Sequence, residues 1–242
     1  MTISVIINGA NGRMGKLSQI AIASDNSFKI VALCDKEDNL KNKIIELKPS
    51  IVLDFTLAST VYQNTKTIIE CGAYPVIGTS GLAEKEVDIL RGMCDKAGVG
   101  GIIVPNFTLT AVLMMKFAKE AAKYLKSVEI MEYHHDQKQD APSGTAIRTA
   151  ELISENGLEK RDRGVETVKG SLGGEYKNIP IHSVRLPGFL AHQEVIFGNN
   201  GELLSIRADT TSRESFKKGI LIACHKVLEK KKLYYGLENF LD

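Results

Sequence analysis

The first 106 residues alternate short apolar segments with amphipathic ones, and this alternation restricts the possible fold more than any other feature. The apolar segments show no regular exchange of polar and apolar residues, which indicates strands buried on both faces of a parallel sheet. The intervening segments carry apolar residues at helical spacing, such as Met14, Leu17 and Ile20. This pattern predicts a doubly wound α/β unit. Its predicted strands are 4–8, 29–34, 51–55, 75–77 and 101–104, and its predicted helices are 12–23, 59–71 and 83–97.

The pattern changes after Pro105. Helical spacing over 108–125 is followed by a strand at 127–133, a helix at 143–156 and a strand-rich region over 164–211, where Asn200-Gly201 is a strong hairpin signal. These elements predict a second α+β domain with an open mixed sheet over 108–212. The tail reads as a helix over 212–232, which we expect to pack on the first domain. The predicted domains are therefore 1–107, completed by 213–242, and 108–212.

Composition and charge exclude several classes of protein. Lys and Arg total 31 against 29 for Asp and Glu, which gives a net charge of +2. This balance lacks the excess of positive charge that is typical of proteins that bind nucleic acids. No apolar run reaches the roughly 20 residues of a membrane span, and the N-terminus has no signal-peptide pattern. The four cysteines form no closely spaced pair, which favours buried free thiols in a reducing compartment. We therefore expect a cytoplasmic protein with no nucleic-acid and no membrane partner.

Three glycines directly after the first predicted strand indicate a dinucleotide site. Gly9-Ala10-Asn11-Gly12-Arg13-Met14-Gly15 opens a helix, where glycines let backbone amides approach a pyrophosphate and Arg13 adds positive charge. Asp35, 20 residues after Gly15, suits the ribose hydroxyls of NADH, whereas Lys36 suits the 2′-phosphate of NADPH. The pair predicts loose discrimination between the two cofactors. The alternatives are a tight turn without ligand and, for Asp35, a helix cap or surface residue.

Two further loops follow strands of the same predicted sheet. They are Gly78-Thr79-Ser80-Gly81 and Val104-Pro105-Asn106-Phe107. Ligands of open α/β sheets bind beyond the carboxyl ends of the strands, so both loops are expected to contact the nicotinamide end of the cofactor. The alternative is ordinary turn chemistry, since these residue types are common in turns.

The segment from Glu132 to Ala146 carries the second candidate site. Ser143-Gly144-Thr145 follows Pro142 at a predicted helix start, where free amides and two hydroxyls form an anion cradle. His135 and Lys138 can add charge-assisted hydrogen bonds to the same anion. A substrate carboxylate fits this arrangement, although Ser143 also suits a plain N-cap.

His134 and Lys138 are the candidate proton donors. A hydride added to an unsaturated carbon leaves the neighbouring atom in need of a proton, and a lysine beside a cationic histidine can have its pKa lowered into a useful range. The alternative is a solvated polar loop. Zinc is disfavoured because His134 and His135, adjacent on a strand, point to opposite faces, so we expect no metal.

Together these motifs resemble the 4-hydroxy-tetrahydrodipicolinate reductase (dihydrodipicolinate reductase) family of lysine biosynthesis through diaminopimelate. The resemblance rests on Gly9–Gly15, Gly78–Gly81, Pro105–Phe107 and the specific block from His134 to Ala146, in the family's order over nearly the whole chain. It implies a Rossmann-like domain completed by the C-terminal helix, and a middle domain that binds substrate and assembles a homotetramer. It also implies reduction of a cyclic hydroxy dicarboxylate by NADH or NADPH, with loss of water.

The resemblance carries roles over to individual residues. The catalytic histidine and the proton-donating lysine fall on His134 and Lys138. Substrate contacts fall on His135, Gly144 and Thr145, with Ser143 close by, and cofactor contacts fall on Gly9, Ala10, Asn11, Gly12, Arg13, Met14, Asp35, Lys36, Gly78, Thr79, Ser80, Val104, Pro105, Asn106 and Phe107. The chain departs from the family at Ser80, Thr108–Thr110, Leu190–His192 and Ala208.

Two other functions remain open from the sequence. Another dehydrogenase of similar architecture would share the glycine turn without requiring the acid cradle. A non-catalytic dinucleotide sensor would bind NADH without turnover, and it gives no reason for His134 and Lys138 together.

Overall fold

The computed structural model describes residues 2–159 and 161–241, which form two compact units. The first unit contains the chain up to Phe107 and from Glu214 onward, and the second contains Thr108–Arg213. Each unit has its own sheet. No helix in these two described ranges is long and apolar enough to cross a membrane.

The first unit is built on a six-stranded parallel sheet. Its strands are β1 (Ile3–Asn8), β2 (Phe28–Cys34), β3 (Ile51–Asp54), β4 (Tyr74–Ile77), β5 (Gly101–Ile103) and β11 (Leu233–Tyr235). They lie in the order β11-β5-β4-β3-β1-β2. Val5, Ile6 and Ile7 are all fully buried, which explains why the strand segments lack polar alternation.

Five helices accompany this sheet. They are α1 (Arg13–Ala23), α2 (Leu40–Leu47), α3 (Val61–Glu70), α4 (Glu84–Ala97) and α7 (Phe216–Val227). The sequence does not predict α2, because its one buried residue, Ile44, gives too short an apolar stripe. Local chemistry nevertheless marks its start, since the Asn39 side chain accepts a hydrogen bond from the Asn42 amide.

The C-terminal tail differs from the helix predicted over 212–232. A 3-10 turn at Arg213–Ser215 precedes α7, and the chain then adds β11 parallel to β5, with Leu233 opposite Gly101. A strand of three residues carries too little periodicity to be recognised, and its partner lies far away in the sequence. Gly219 of α7 lies so close to the loop after β5 that a Cβ there would be 1.9 Å from the carbonyl oxygen of Phe107.

The second unit contains an open mixed sheet of five strands. The strands are β6 (Ser127–His134), β7 (Gly174–Tyr176), β8 (Ile179–Arg185), β9 (Ala191–Asn199) and β10 (Glu202–Thr210), and the helices are α5 (Leu109–Ala121) and α6 (Gly144–Ser154). The order is β10-β9-β6-β8-β7, with β6 and β8 parallel and the other neighbours antiparallel. The predicted fold class, a doubly wound sheet plus a domain with an open mixed sheet, is therefore confirmed.

The two faces of the mixed sheet differ in burial. Val128, Ile130 and Glu132 of β6 are buried on the face that α5 and α6 contact. Residues of the opposite face, such as Met131 and Ile196, are only half-buried. The predicted hairpin is confirmed, because the turn between β9 and β10 consists of Asn200 and Gly201. The helix predicted over 108–125 ends earlier, at Ala121, and continues as a turn.

Candidate active site

The glycine turn connects β1 to α1 and packs against the end of β2. Gly9 has a φ of +77°, a conformation that favours glycine. The amides of Gly9 and Ala10 donate to the carbonyl oxygen of Cys34 at 2.9 and 3.0 Å. A Cβ at Gly15 would lie 2.2 Å from the Gly9 carbonyl oxygen, so the close contact between turn and helix requires glycine there.

The first turn of α1 is suited to an anion. Its N-cap, Gly12, provides no side-chain hydrogen bond, and the turn contains no acidic residue. The leading amides of a helix have no intrahelical partner and carry partial positive charge. Arg13 and Met14 occupy this turn and line the cavity described below. A pyrophosphate therefore fits the start of α1.

Asp35 connects the end of β2 to the glycine turn. Its Oδ1 accepts a hydrogen bond from the Lys36 amide and its Oδ2 accepts one from the Asn11 amide, both at 2.9 Å. These two backbone hydrogen bonds lower the pKa of the Asp35 carboxyl. The carboxylate thus holds the glycine turn in place, whereas the side chain of Lys36 is 84% exposed.

A cavity of about 830 Å³ lies along the carboxyl edge of the parallel sheet. Its lining includes nine residues from the predicted cofactor set: Gly9, Gly12, Arg13, Met14, Asp35, Lys36, Gly78, Thr79 and Ser80. Ala10, Asn11 and the loop Val104–Phe107 are not among its lining residues. Phe107 is buried and packs against Phe55 of the lining, with ring centroids 5.5 Å apart.

Asp54, at the end of β3, organises the lining of this cavity. Its fully buried carboxylate accepts hydrogen bonds from Asn8 and Thr79, both at 2.8 Å, and from Asn64 at 3.1 Å. The Thr56 hydroxyl adds another at 2.8 Å. One carboxylate therefore joins the ends of β1, β3 and β4 with α3. Sequence reasoning did not select Asp54, although a charged residue that ends an apolar strand was an available signal.

The second cluster lies at the end of β6. The Nδ1 atom of His134 contacts Oε2 of Glu132, a side chain that is fully buried. Arg185, on β8, donates to Oε1 of Glu132 at 2.8 Å. Burial by itself raises the pKa of Glu132, but hydrogen bonds from His134, Arg185 and Ser183 lower it to about 2. Glu132 and Arg185 were both missed by sequence reasoning; the register that pairs β6 with β8 brings them together.

Lys138 is paired with a carboxylate in the loop after β6. Its Nζ lies 2.6 Å from Oδ1 of Asp140, and the Lys138 side chain is 21% exposed. Burial raises the pKa of Asp140, but the hydrogen bond from Lys138, a backbone hydrogen bond and the charges of Lys138 and Arg185 together lower it overall. The carbonyl oxygen of Asp140 accepts a hydrogen bond from Arg185 at 2.8 Å. Arg185 therefore connects the segments that carry His134 and Lys138.

Ser143 is the N-cap of α6. Its Oγ accepts a hydrogen bond from the Ala146 amide at 3.2 Å, and its own amide donates to Glu132 at 3.3 Å. The following residues, Gly144 and Thr145, begin the helix, and Gly144 is exposed. The cap interpretation of Ser143 thus agrees with the geometry, and the amides of the first turn remain oriented for an anion.

His135 is half-buried directly after β6, and its carbonyl oxygen accepts the Lys138 amide at 3.2 Å. The second unit thus brings His134, His135, Lys138 and the start of α6 into one neighbourhood. Among residues 2–159 and 161–241, no group of three or more His, Cys, Asp or Glu side chains is arranged to hold a metal ion.

Two family models match the chain. Residues 3–107 match the model described as "Dihydrodipicolinate reductase, N-terminus", and residues 110–241 match "Dihydrodipicolinate reductase, C-terminus". Together the two models cover almost the whole length of the protein.

Individual relatives agree with these models. The chain is 49% identical over 243 residues to the 4-hydroxy-tetrahydrodipicolinate reductase of Legionella pneumophila (strain Corby), and 48% identical over 242 residues to that of Coxiella burnetii (strain Dugway 5J108-111); both alignments cover 100% of each protein. A solved structure, the dipicolinate-bound dihydrodipicolinate reductase from Paenisporosarcina sp. TG-14, superposes with a TM-score of 0.90 at 39% identity over 100% of both chains. The chain belongs to the dihydrodipicolinate reductase family.

Proposed function

We propose that this protein reduces 4-hydroxy-tetrahydrodipicolinate to tetrahydrodipicolinate, with loss of water, at the expense of NADH or NADPH, in lysine biosynthesis through diaminopimelate. The observation that carries the proposal is full-length membership of the reductase family, combined with a dinucleotide-sized cavity in one unit and a histidine–lysine cluster beside a helix start in the other. The free cysteines Cys34, Cys71, Cys94 and Cys224 are compatible with work in the reducing cytoplasm.

The cavity of the first unit is where we propose that the dinucleotide binds. The uncapped start of α1 and the charge of Arg13 would hold the pyrophosphate, while Asp35 and Lys36 would meet the adenosine ribose. Gly78, Thr79, Ser80 and the loop Val104–Phe107 would hold the nicotinamide end. When bound, this cofactor supplies the hydride.

The cluster of the second unit is where we propose that the dicarboxylate binds. The amides at the start of α6, with Ser143, Gly144 and Thr145, would hold one carboxylate, and His135 and Lys138 would add charge-assisted hydrogen bonds. The dipicolinate bound by the structural relative is itself a cyclic dicarboxylate, which supports this assignment.

His134 and Lys138 would handle the proton of the reaction. The reduction consumes one proton in addition to the hydride and releases water, so a donor must stand near the reacting atoms. Lys138 carries an ammonium paired with Asp140, and His134 is held by Glu132, so both are oriented side chains at the same end of β6.

The decisive experiment follows the absorbance of the nicotinamide band while the purified protein receives freshly generated product of dihydrodipicolinate synthase. We expect oxidation of NADH or NADPH that depends on this substrate. Turnover with an amino acid or aldehyde instead would identify a different dehydrogenase, and binding of NADH without any turnover would identify a sensor.

Replacing Asp35 by alanine is expected to weaken NADH binding by about 10-fold, and more than it weakens NADPH binding. A charge-assisted hydrogen bond to a ribose hydroxyl contributes on the order of 1.5–3 kcal/mol, and NADPH lacks one of these hydroxyls. Fluorescence titration with each cofactor measures both dissociation constants. Glu37→Ala is the matched control, because it removes a nearby exposed carboxylate that pairs with the Lys36 ammonium at 3.5 Å and is outside the proposed ribose contact. A larger loss for NADPH would contradict the ribose assignment.

We also propose a homotetramer, assembled through the face of the mixed sheet opposite α5 and α6. This face carries Met131 and Ile196, and Leu203 of β10 is 79% exposed. Exposed apolar side chains on an open sheet favour burial against another subunit. Sedimentation velocity should report a species of four chains, and Leu203→Lys should shift it to smaller species. A monomer at micromolar concentration would contradict the proposal.

A further inference from the structure

Glu132 has partners on both carboxylate oxygens although it is fully buried. Its Oε2 contacts Nδ1 of His134, and its Oε1 accepts hydrogen bonds from Arg185 at 2.8 Å and from the Ser143 amide at 3.3 Å. A buried carboxylate is tolerated only where donors compensate its charge. The donors here come from its own strand, from β8 and from the N-cap of α6.

The ionisation of Glu132 decides which nitrogen of His134 carries hydrogen. Burial raises the pKa of Glu132, but its hydrogen bonds from His134, Arg185 and Ser183 bring it to about 2, so the carboxylate is ionised at neutral pH. An ionised carboxylate can only accept, and Nδ1 of His134 must therefore donate. Nε2 is then the ring atom that can exchange a proton with a ligand.

Arg185 connects this pair to Lys138. The same guanidinium that donates to Glu132 also donates to the carbonyl oxygen of Asp140 at 2.8 Å, and Asp140 accepts the Lys138 ammonium at 2.6 Å. One side chain of β8 thus contacts both the strand end that carries His134 and the loop that carries Lys138.

We propose that Glu132 and Arg185 are positioning residues: Glu132 holds His134 as its Nδ1–H form with Nε2 as the proton-exchanging atom, and Arg185 holds Glu132 and the Lys138–Asp140 loop in register. The inference rests on the proposed function, because the proposed reduction is the reaction in which His134 would transfer a proton. The groups that face Glu132 are His134 from β6, Arg185 and Ser183 from β8, the Ser143 amide before α6 and Gln193, its cross-strand neighbour on β9.

The first test requires neither a variant of Glu132 nor turnover. In wild-type protein labelled with ¹⁵N-histidine, the imidazole nitrogens report the tautomer, and the His134 signals are identified by their loss in His134→Asn. We expect Nδ1 of His134 to carry the hydrogen of the neutral ring, where it faces the Glu132 carboxylate, and Nε2 to carry none. An Nε2–H form in the neutral ring would overturn the inference.

The second test replaces Glu132 by glutamine, which keeps the shape of the side chain and removes its charge. Glutamine replaces one of the two acceptor oxygens by an NH₂ group, which is a hydrogen-bond donor. In either orientation of the amide, this NH₂ group faces an N–H group, either that of His134 or that of Arg185. We expect kcat to fall by about 10- to 100-fold, with the KM for the nicotinamide cofactor changed less than about threefold and the pH profile of kcat displaced. Arg185→Lys should lower kcat similarly, because an ammonium cannot reproduce the planar guanidinium, whose Nη2 donates to Glu132 and Asp140 while its Nη1 donates to the Val184 carbonyl oxygen.

Glu129→Gln is the matched control. Glu129 lies on the same strand, accepts from His182 at 2.7 Å and from Arg161 at 3.1 Å, and has no place in the proposed site. We expect its kcat and the His134 tautomer to match wild type. Unchanged kcat and tautomer in Glu132→Gln would overturn the inference even if the enzyme is active as proposed. If the wild-type protein shows no turnover, the proposed function is overturned, and the His134 tautomer still tests the inference. If Glu132→Gln does not fold, Arg185→Lys and the tautomer in the wild-type protein test the inference.

Discussion

Replacing Lys138 or His134 by alanine will lower kcat by about 10²- to 10⁴-fold, the range expected when a general acid is removed. Both side chains are held at the end of β6, Lys138 by Asp140 at 2.6 Å and His134 by Glu132. Because the predicted dinucleotide contacts all belong to the first unit, the dissociation constant for NADH should change less than about twofold. Steady-state kinetics and cofactor fluorescence titration measure the two effects separately.

Lys123→Ala is the control for Lys138→Ala. Lys123 belongs to the same unit and pairs with Glu120 at 2.7 Å, so it removes a comparable lysine–carboxylate contact outside the proposed site. Its kcat should equal that of the wild type. Full activity in both Lys138→Ala and His134→Ala would eliminate the proposed proton transfer, whereas loss in the control as well would indicate a general structural defect.

Gly15→Ala should destabilise the first unit and weaken cofactor binding together. The new Cβ would lie 2.2 Å from the Gly9 carbonyl oxygen and 2.7 Å from Cα of Ala10, so either α1 or the glycine turn must move. Overpacking of this kind costs about 1–3 kcal/mol in the free energy of unfolding. Urea denaturation measures that loss, and NADH titration should show at least about 10-fold weaker binding because the turn carries the proposed pyrophosphate site.

Gly92→Ala is the control for Gly15→Ala, because both glycines lie in helices. Gly92 lies inside α4, and a Cβ there would meet nothing within 4 Å. Alanine should therefore stabilise the protein by about 0.5–1 kcal/mol through helix propensity, with cofactor binding unchanged. If Gly15→Ala were as stable as Gly92→Ala and bound NADH normally, the tight packing between the turn and α1 would not be needed for binding.

The two halves of the candidate site differ in how far they could be predicted. The glycine turn, Asp35 and the segment from His134 to Thr145 are contiguous or regularly spaced motifs, so residue type and spacing were enough to select them. Asp54, Glu132 and Arg185 could not be selected this way, because their importance comes from partners in other elements. Arg185 meets Glu132 across 53 positions in the sequence, through a register that no local pattern specifies.

The fold, too, was predictable from the sequence only in part. The alternation of strands and helices in the first 106 residues could be predicted, because apolar segments without polar alternation are typical of strands in sheets that are buried on both faces. Residues 233–235 gave no such signal, yet they complete the parallel sheet beside β5. Helix α2 was missed for a related reason, since it buries only Ile44.

By itself, then, the chain's amino-acid order determined the class of the sheet, the glycine turn and the helix start at Ser143 that we propose binds the substrate acid, because each depends on residues close together in the chain. Only the tertiary structure decided that Asp54 connects three strand ends to α3. It likewise decided that Arg185 connects Glu132, the partner of His134, to the loop that carries Lys138. The physical reason is that a buried carboxylate needs several donors at once, and in this molecule those donors come from separate strands and helices that meet only when the sheets form.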